Sequence, residues 1–334
     1  MPSWTPGLRS CIQIREREKN RAKIQGAIHA GRECEMAQIK MQTSPQSRII
    51  KEQRHRGQGA EVWHRLKKSK TAIGALIFIA ILIFAVVFAD FLTPYQYDAV
   101  ELGNALQFPS LEHPMGTDQY GRDLLTRLLF GGRISLLIAL ITVVGSVFVA
   151  GAIGICAGYF GGHLDNILMR CMDVLMAIPG ILMAITIASA LGGGIVNTAI
   201  AIGISHIAGL SRIFRSSVLL LREQEYIEAA EAFGASHIRI IWKHIVPNTL
   251  APIIVQCTLK IGESILSIAS LSFIGLGIAP PTPEWGSILN SGRDLIMSFW
   301  PIITFPGIFI ALTMLAFNLL GDGLRDAMDP RLKQ

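Results

Sequence analysis

The sequence predicts an all-α integral membrane protein with six transmembrane helices and with both termini in the cytoplasm. Hydrophobic residues make up 51% of the 334 residues and charged residues only 16%, a balance that is typical of membrane proteins. Several uncharged runs reach the roughly 20 residues that a helix needs to cross the hydrocarbon core. Lys and Arg are unevenly distributed between alternate loops, and this distribution predicts the orientation of the spans.

Six apolar segments are predicted to cross the membrane. Residues 174–211 contain no Asp, Glu, Lys or Arg and are too long for one span, and the sequence LGGGIVN divides them because three successive glycines weaken a helix. Pro179 is expected to kink the span before this turn. The predicted spans are residues 71–89, 134–160, 167–191, 195–211, 247–277 and 295–321.

The positive charges predict which side of the membrane each loop faces. With the N-terminus inside, the predicted cytoplasmic segments carry 25 Lys and Arg, whereas the outer segments carry four. Cytoplasmic loops are enriched in these two residues. We therefore expect both ends of the chain, and the polar loop in residues 222–248, on the cytoplasmic side.

Residues 1–70 predict a basic, disordered cytoplasmic tail, followed by a transmembrane domain in residues 71–334. Residues 1–71 hold 16 Lys and Arg against 6 Asp and Glu. Nucleic-acid binding is disfavoured because aromatic residues are sparse and no binding module is visible. We expect no cleavable signal peptide. Residues 1–35 are either a regulatory tail or an artefact of start-site choice, with Met36 or Met41 as the true first residue.

The two long outer loops contain turn-forming residues. In HPMGTDQYGRDLLTRLLFGGR the glycines predict breaks, and residues 124–130 predict an amphipathic helix at the membrane surface. Asp118, Arg122 and Asp123 in this loop either dock a binding protein or cap and solvate that helix. In APPTPEWG each proline removes a backbone donor, which excludes a regular helix interior.

A polar segment, EAAEAFGASHIRIIWKHIVPN, lies at residues 228–248 between two predicted spans. Ala and Glu favour a helix over residues 226–233. The features predicted after this helix are a bend at Gly234, a helix cap at Ser236, an apolar face at Ile238, Ile241 and Ile245, and a new helix start at Pro247. Such an element fits a groove on another protein or lies as an amphipathic loop on the bilayer, and the residues alone leave both open.

Lys260 and Glu263 fall inside the fifth predicted span. A charge at the centre of a span costs about 2.5–3.5 kcal/mol on insertion scales, so such residues point to function. Their spacing lets them partly neutralise one another. They either face a translocation path or a partner subunit, or form a self-satisfied pair against another helix.

Several motifs in a fixed order resemble one family. Glu-Ala-Ala from Glu228, followed by Gly234 and Pro247, resembles the EAA loop of ABC-importer permeases, with departures at His244 and Val246. Four further segments are similar to segments of the C-type permease subunit of dipeptide, oligopeptide and nickel importers. They are HPMGTDQYGRDLLTRLLFGGRISLLI, GYFGGHLDNILMRCMDVLMAIP, LSFIGLGIAPPTPEWGSIL and GDGLRDAMDPRLK. The resemblance covers residues 63–333.

The resemblance implies a type I ABC importer permease fold in the cell (inner) membrane of a bacterium or an archaeon. Residues 222–248 would form a coupling helix that docks in a cleft of a cytoplasmic ATPase. The residues assigned to this contact by resemblance are Glu228, Ala229, Ala230, Gly234, Ala235 and Pro247. The implied partners are a homologous second permease forming a heterodimer, two ABC ATPases, an extracytoplasmic solute-binding protein and the lipid bilayer, without nucleic acid.

The sequence assigns ATP chemistry to other subunits. It contains no G-x-x-x-x-G-K-[ST] phosphate loop, so we expect ATP and Mg²⁺ to bind to the ATPases. We expect this chain to bind no cofactor or metal, and we do not expect it to be an enzyme. Di- and oligopeptides are the expected cargo, with nickel, glutathione and opine-like solutes as alternatives. A self-sufficient channel or secondary carrier is the alternative from another class, although no internal repeat is evident.

Overall fold

The structure is a computed structural model and describes residues 58–328. The chain divides into two units, Met1–Trp63 and His64–Gln334, and only the first residues of α1 are described in the first unit. The predicted tail and the two candidate start residues therefore lie outside the described range. The α-helices are α1 Gln58–Leu66, α2 Lys70–Val87, α3 Ala89–Leu92, α4 Leu124–Phe160, α5 Gly162–Met176, α6 Gly180–Leu191, α7 Ile195–Arg222, α8 Glu225–Ala232, α9 His237–Ile240, α10 Val246–Phe273, α11 Trp285–Ser291 and α12 Pro301–Met328.

The described residues are helical apart from turns and one isolated bridge between Thr117 and Asp123, so the all-α prediction is confirmed for them. Short 3₁₀ turns occur at Leu102–Asn104 and Arg293–Leu295, and a π turn at Ile241–Ile245 joins α9 to α10. Within residues 58–328, five helices are long and apolar enough to cross a membrane: α2, α4, α7, the continuous α9–α10 helix and α12.

The predicted third span is broken in the structure. Helices α5 and α6 meet at an angle of 86°, and together they satisfy the length and composition of one further span. Pro179 is the N-cap of α6, and because proline has no backbone N–H it cannot continue the hydrogen bonding of α5. The expected kink at Pro179 is therefore present and is a sharp bend.

The predicted surface helix at residues 124–130 is wrong, because these residues form the first turns of α4. Asp123 caps α4 by accepting a bond from the Thr126 backbone N–H. Leu124 is fully buried, and a Cβ on Gly132 would lie 2.7 Å from Val86 Cγ2. The glycines therefore continue the helix and let a neighbouring side chain approach closely.

Close packing of α4 against α7 forms the centre of the fold. A Cβ on Gly154 would lie 2.4 Å from the Ser211 carbonyl oxygen and 2.5 Å from Phe214 Cβ. Gly203 lies against Ser146 near the start of the pair. The two helices thus run parallel, so their C-terminal ends reach the same side of the molecule.

The two ends of the described transmembrane region also lie together. A Cβ on Gly323 of α12 would lie 2.3 Å from Ala72 Cβ of α2, and Ala316 packs with Ile79. Helices α2 and α12 are therefore antiparallel. The start of α2 and the end of α12 face the same side.

A buried ionic cluster holds the loop before α4. Arg122 Nε donates to Asp118 Oδ2 at 2.7 Å, Arg127 Nε lies 3.5 Å from the same oxygen, and His113 Nδ1 is 2.9 Å from Asp123 Oδ1. Asp118, Arg122 and Asp123 are all buried, so they do not present a docking surface. Of the two interpretations from the sequence, capping is the one that the structure supports for Asp123.

Glu284 is a fully buried carboxylate that caps α11. It accepts bonds from the backbone N–H groups of Gly286 and Ser287, both at 2.9 Å, and the Ser135 hydroxyl donates to it at 3.2 Å. Next to it, Trp285 Nε1 donates to the Leu128 carbonyl at 2.9 Å. Burial raises the pKa of Glu284 above its ordinary value of 4.5, and the two backbone bonds only partly oppose that shift.

Replacement of Glu284 by glutamine is expected to remove a pH dependence of stability. Because the folded-state pKa is raised, the carboxyl contributes most stability below pH 4.5 and loses it as the pH rises through the raised pKa. We expect the melting temperature of wild type relative to Glu284→Gln to fall in detergent as the pH is raised above 4.5. A difference that stays constant or rises would contradict this assignment.

Candidate functional site

The polar loop in residues 222–248 has the predicted helix, bend and helix. Helix α8 covers Glu225–Ala232, which agrees with the predicted helix to within one residue. Gly234 has φ +77°, a conformation that favours glycine and that turns the chain toward α9. Ser236 occupies the N-cap position of α9, but its side chain accepts no capping bond, so the predicted side-chain cap is wrong.

The inner face of the loop packs on the ends of α4 and α7. Ile227, Ile240 and Ile245 are buried in one cluster with Tyr159 and Val218. The Tyr159 hydroxyl also lies 2.8 Å from His237 Nδ1, within hydrogen-bond distance. The loop is thus packed against the ends of both parallel helices.

The predicted apolar face at Ile238, Ile241 and Ile245 is only partly right. Ile238 is 72% exposed, whereas Ile240 is buried. The π turn at Ile241–Ile245 hydrogen-bonds from i to i+5 and so changes the register of the face. Pro247 is the second residue of α10, and α10 continues from the π turn without a break. The new helix predicted to start at Pro247 is therefore a change from π-helix to α-helix within one continuous helix.

The outer face of the loop is uncovered in the structure. Glu228, Ala229 and Gly234 are exposed, whereas Ala230 and Ala235 are half-buried. Phe233, at the end of α8, has 91% of its surface exposed. An uncovered aromatic next to small residues and carboxylates is suited to insertion into a protein groove.

Lys260 and Glu263 form an ion pair halfway along α10. Lys260 Nζ donates to Glu263 Oε2 at 2.5 Å, and the side chains are 23% and 52% exposed. The neighbouring Ser264 instead lies toward α7, where its hydroxyl is 3.1 Å from His206 Nε2. The pair neutralises itself, but more than half of the carboxylate side chain remains uncovered.

A second polar site, between α5 and α7, was not found from the sequence. Arg215 donates to both oxygens of Asp165 at 2.6 Å, and Arg212 is hydrogen-bonded to Asp173. These side chains line a cavity of about 420 Å³. The only sequence signal is that both acidic residues and both arginines lie near the same predicted side of the membrane, and their separation by 39 and 50 positions hides the pairing.

Comparisons with known proteins identify relatives over most of the chain. Residues 150–334 match the family described as binding-protein-dependent transport system inner membrane component, and residues 57–109 match the N-terminal transmembrane domain of oligopeptide transport permease C. The dipeptide transport system permease protein DppC of Alkalihalophilus pseudofirmus is 45% identical over 273 residues, covering 82% of this chain and 90% of that protein.

Two further proteins are similar. The glutathione transport system permease protein GsiD of Escherichia coli is 43% identical over 293 residues, covering 85% of this chain and 94% of that protein. Among solved structures, the MetNI methionine ABC transporter in inward-facing conformations shows 15% identity and a TM-score of 0.46, covering 61% of this chain and 97% of that chain.

Proposed function

Because the chain belongs to the binding-protein-dependent transport system inner membrane component family, as the permease subunit of an ABC importer, we propose that it carries peptide-like solutes. Two relatives are named as dipeptide and glutathione permeases, and both of these cargoes contain peptide bonds. Di- and oligopeptides, with glutathione as a related tripeptide, are the proposed substrates. The other half of the translocation path comes from a homologous second permease.

The proposed topology has six spans with both termini in the cytoplasm of a bacterial cell. Counting α5 and α6 as one broken span gives six. The close approach of Gly323 to Ala72 supports termini on one side, and the distribution of Lys and Arg supports the cytoplasm as that side. The parallel direction of α4 and α7 agrees with this order.

The proposed coupling site is the loop in residues 222–248. Its buried underside on Tyr159 and Val218, together with its uncovered outer face, is the observation that carries the proposal. An ATPase that contacts the outer face would move α4 and α7 together. The proposed contact residues are Glu228, Ala229, Ala230, Gly234 and Ala235, with Pro247 at the far end of the loop.

The remaining partners follow from the same proposal. Two ABC ATPases bind ATP and Mg²⁺, an extracytoplasmic solute-binding protein delivers the cargo, and this chain holds no cofactor. Lys260 and Glu263 are proposed to face the translocation path rather than lipid, since a half-exposed charge in hydrocarbon is costly.

Charge reversal in the loop tests the coupling site. We expect Glu228→Lys/Gly234→Asp to weaken ATPase co-purification and binding-protein-stimulated ATP hydrolysis about tenfold, because the contact charge is reversed and φ +77° strains a non-glycine residue. Asp326→Lys, which reverses an exposed charge near the end of α12 and outside the loop, is the matched control and should retain both. Unchanged association and hydrolysis in the double variant would show that this loop is not the contact with the ATPase.

A further inference from the structure

Helix α10 carries a polar stripe along one face. Its members recur at intervals of four, three, four and three residues, which places them within about 40° of a common line at 100° per residue. All are half-buried except the exposed Glu263. They are Gln256, Lys260, Glu263, Ser267 and Ser270.

The other faces of α10 are occupied by neighbouring helices. Gly262 packs on α12, where a Cβ would lie 3.3 Å from Asn318 Oδ1. Ser264 contacts His206 of α7, and Ala269 lies against Gly286 of α11. The stripe is therefore the face that this chain leaves open.

The length of the stripe favours an aqueous path over a local contact. From Gln256 to Ser270 there are fourteen rises of 1.5 Å each, which extend about 21 Å, roughly two-thirds of a hydrocarbon core of about 30 Å. Polar side chains over that length are unfavourable against lipid. A single ion pair at a subunit contact does not require further polar residues one turn before it and one and two turns after it.

On the basis of the proposed function, we propose that Lys260 and Glu263 bind the two charged ends of a zwitterionic peptide-like substrate in transit. The Glu263 carboxylate accepts hydrogen bonds from the substrate ammonium, and the Lys260 ammonium donates to the substrate carboxylate. Side chains three apart on a helix have Cβ atoms about 5–6 Å apart, and the ends of an extended dipeptide are separated by about 7 Å. The two spacings are similar enough for flexible side chains to reach both ends.

The exchange of partners keeps every charge paired. Without substrate, Nζ and Oε2 neutralise one another at 2.5 Å. A zwitterion brings one charge of each sign, so both protein charges are paired again when the internal ion pair opens. Because forming the complex breaks the internal pair, binding is weak, as passage through a transport path requires. A substrate with one end blocked leaves one protein charge unpaired.

The test uses the complete complex of both permeases, the ATPases and the binding protein in proteoliposomes. Radiolabelled alanyl-alanine is the zwitterionic probe, and radiolabelled glutathione, which has a second carboxylate, is the related tripeptide probe. We expect Glu263→Gln and Lys260→Met each to reduce initial uptake at least tenfold, while ATP hydrolysis stimulated by the loaded binding protein stays within about twofold. The swapped variant Lys260→Glu/Glu263→Lys should recover uptake to within about threefold. Thr258→Ala, on the same helix but off the stripe, is the matched control.

The outcomes separate this proposal from the proposed function. Uptake within twofold of wild type in Lys260→Met/Glu263→Gln would overturn the binding role while leaving the importer intact. Loss of the second permease from purified variants would overturn it in favour of a subunit contact. Failure of wild type to import either probe would instead refute the peptide-like cargo, and with it the premise of the binding role.

Discussion

Gly154→Leu is expected to prevent the folded chain from forming. A side chain at this position would meet the Ser211 carbonyl oxygen at 2.4 Å and Phe214 Cβ at 2.5 Å, so the backbones of α4 and α7 would have to separate. Overpacking costs about 1–3 kcal/mol and occasionally more, and contact with backbone on the facing helix places the cost at the upper end, a large fraction of the stability of a typical domain. We expect less than about a tenth of the wild-type yield of monodisperse protein in detergent.

Gly145→Leu is the matched control for this prediction. Gly145 is on the same helix, and a Cβ there would meet nothing within 4 Å. The same substitution therefore changes helix propensity equally but introduces no clash. Both variants are compared as the isolated chain by size-exclusion chromatography and thermal melting, so that other subunits do not contribute. Equal yields and melting temperatures would show that α4 and α7 do not depend on the glycine contact.

The limits of sequence reasoning are visible in α4. The uncharged run from residue 134 predicts a span, and the glycines at 131 and 132 predict a break before it. In the structure they face Val86 and Trp285, and a Cβ on Gly132 would lie 3.1 Å from Trp285 Cζ2. A partner about 150 positions away decides whether a glycine breaks a helix or brings helices together. The local sequence predicts how long an apolar span is, but it does not predict whether a glycine breaks the helix or allows another helix to pack closely.

The loop shows the same division between local and long-range signals. Helix α8 and the turn at Gly234 follow from residue preferences, and both were predicted. The π turn shifts the buried positions so that Ile240 is inside while Ile238 is exposed. A prediction that assumes the regular α-helical repeat of 3.6 residues cannot place the buried residues where the π turn puts them. The Asp165–Arg215 pair was missed for a related reason, since nothing near either residue indicates the other.

Truncation of Ile227 is expected to separate ATP hydrolysis from transport. Its side chain is buried under α8 in the cluster with Val218 and Tyr159, and loss of a buried Ile side chain costs about 2–5 kcal/mol. In Ile227→Ala the exposed Glu228 and Ala229 remain available to the ATPase, whereas the attachment of α8 to α4 and α7 is loosened. We expect peptide uptake per ATP hydrolysed, measured in proteoliposomes, to fall about tenfold while ATPase co-purification is retained.

The matched control is Ile238→Ala, because Ile238 belongs to the same loop but has 72% of its surface exposed. If the buried cluster transmits the movement, only the Ile227 variant loses coupling. If both variants keep the wild-type ratio, the buried Ile227 contact is not needed for coupling, and the 2.8 Å contact between the Tyr159 hydroxyl and His237 Nδ1 is the next contact to test. Tyr159→Phe then becomes the uncoupling variant, because it removes the hydroxyl and keeps the ring in the cluster. On the proposed coupling role, we therefore expect the buried side of the loop, rather than its exposed sequence motif, to determine whether ATPase movement reaches the spans.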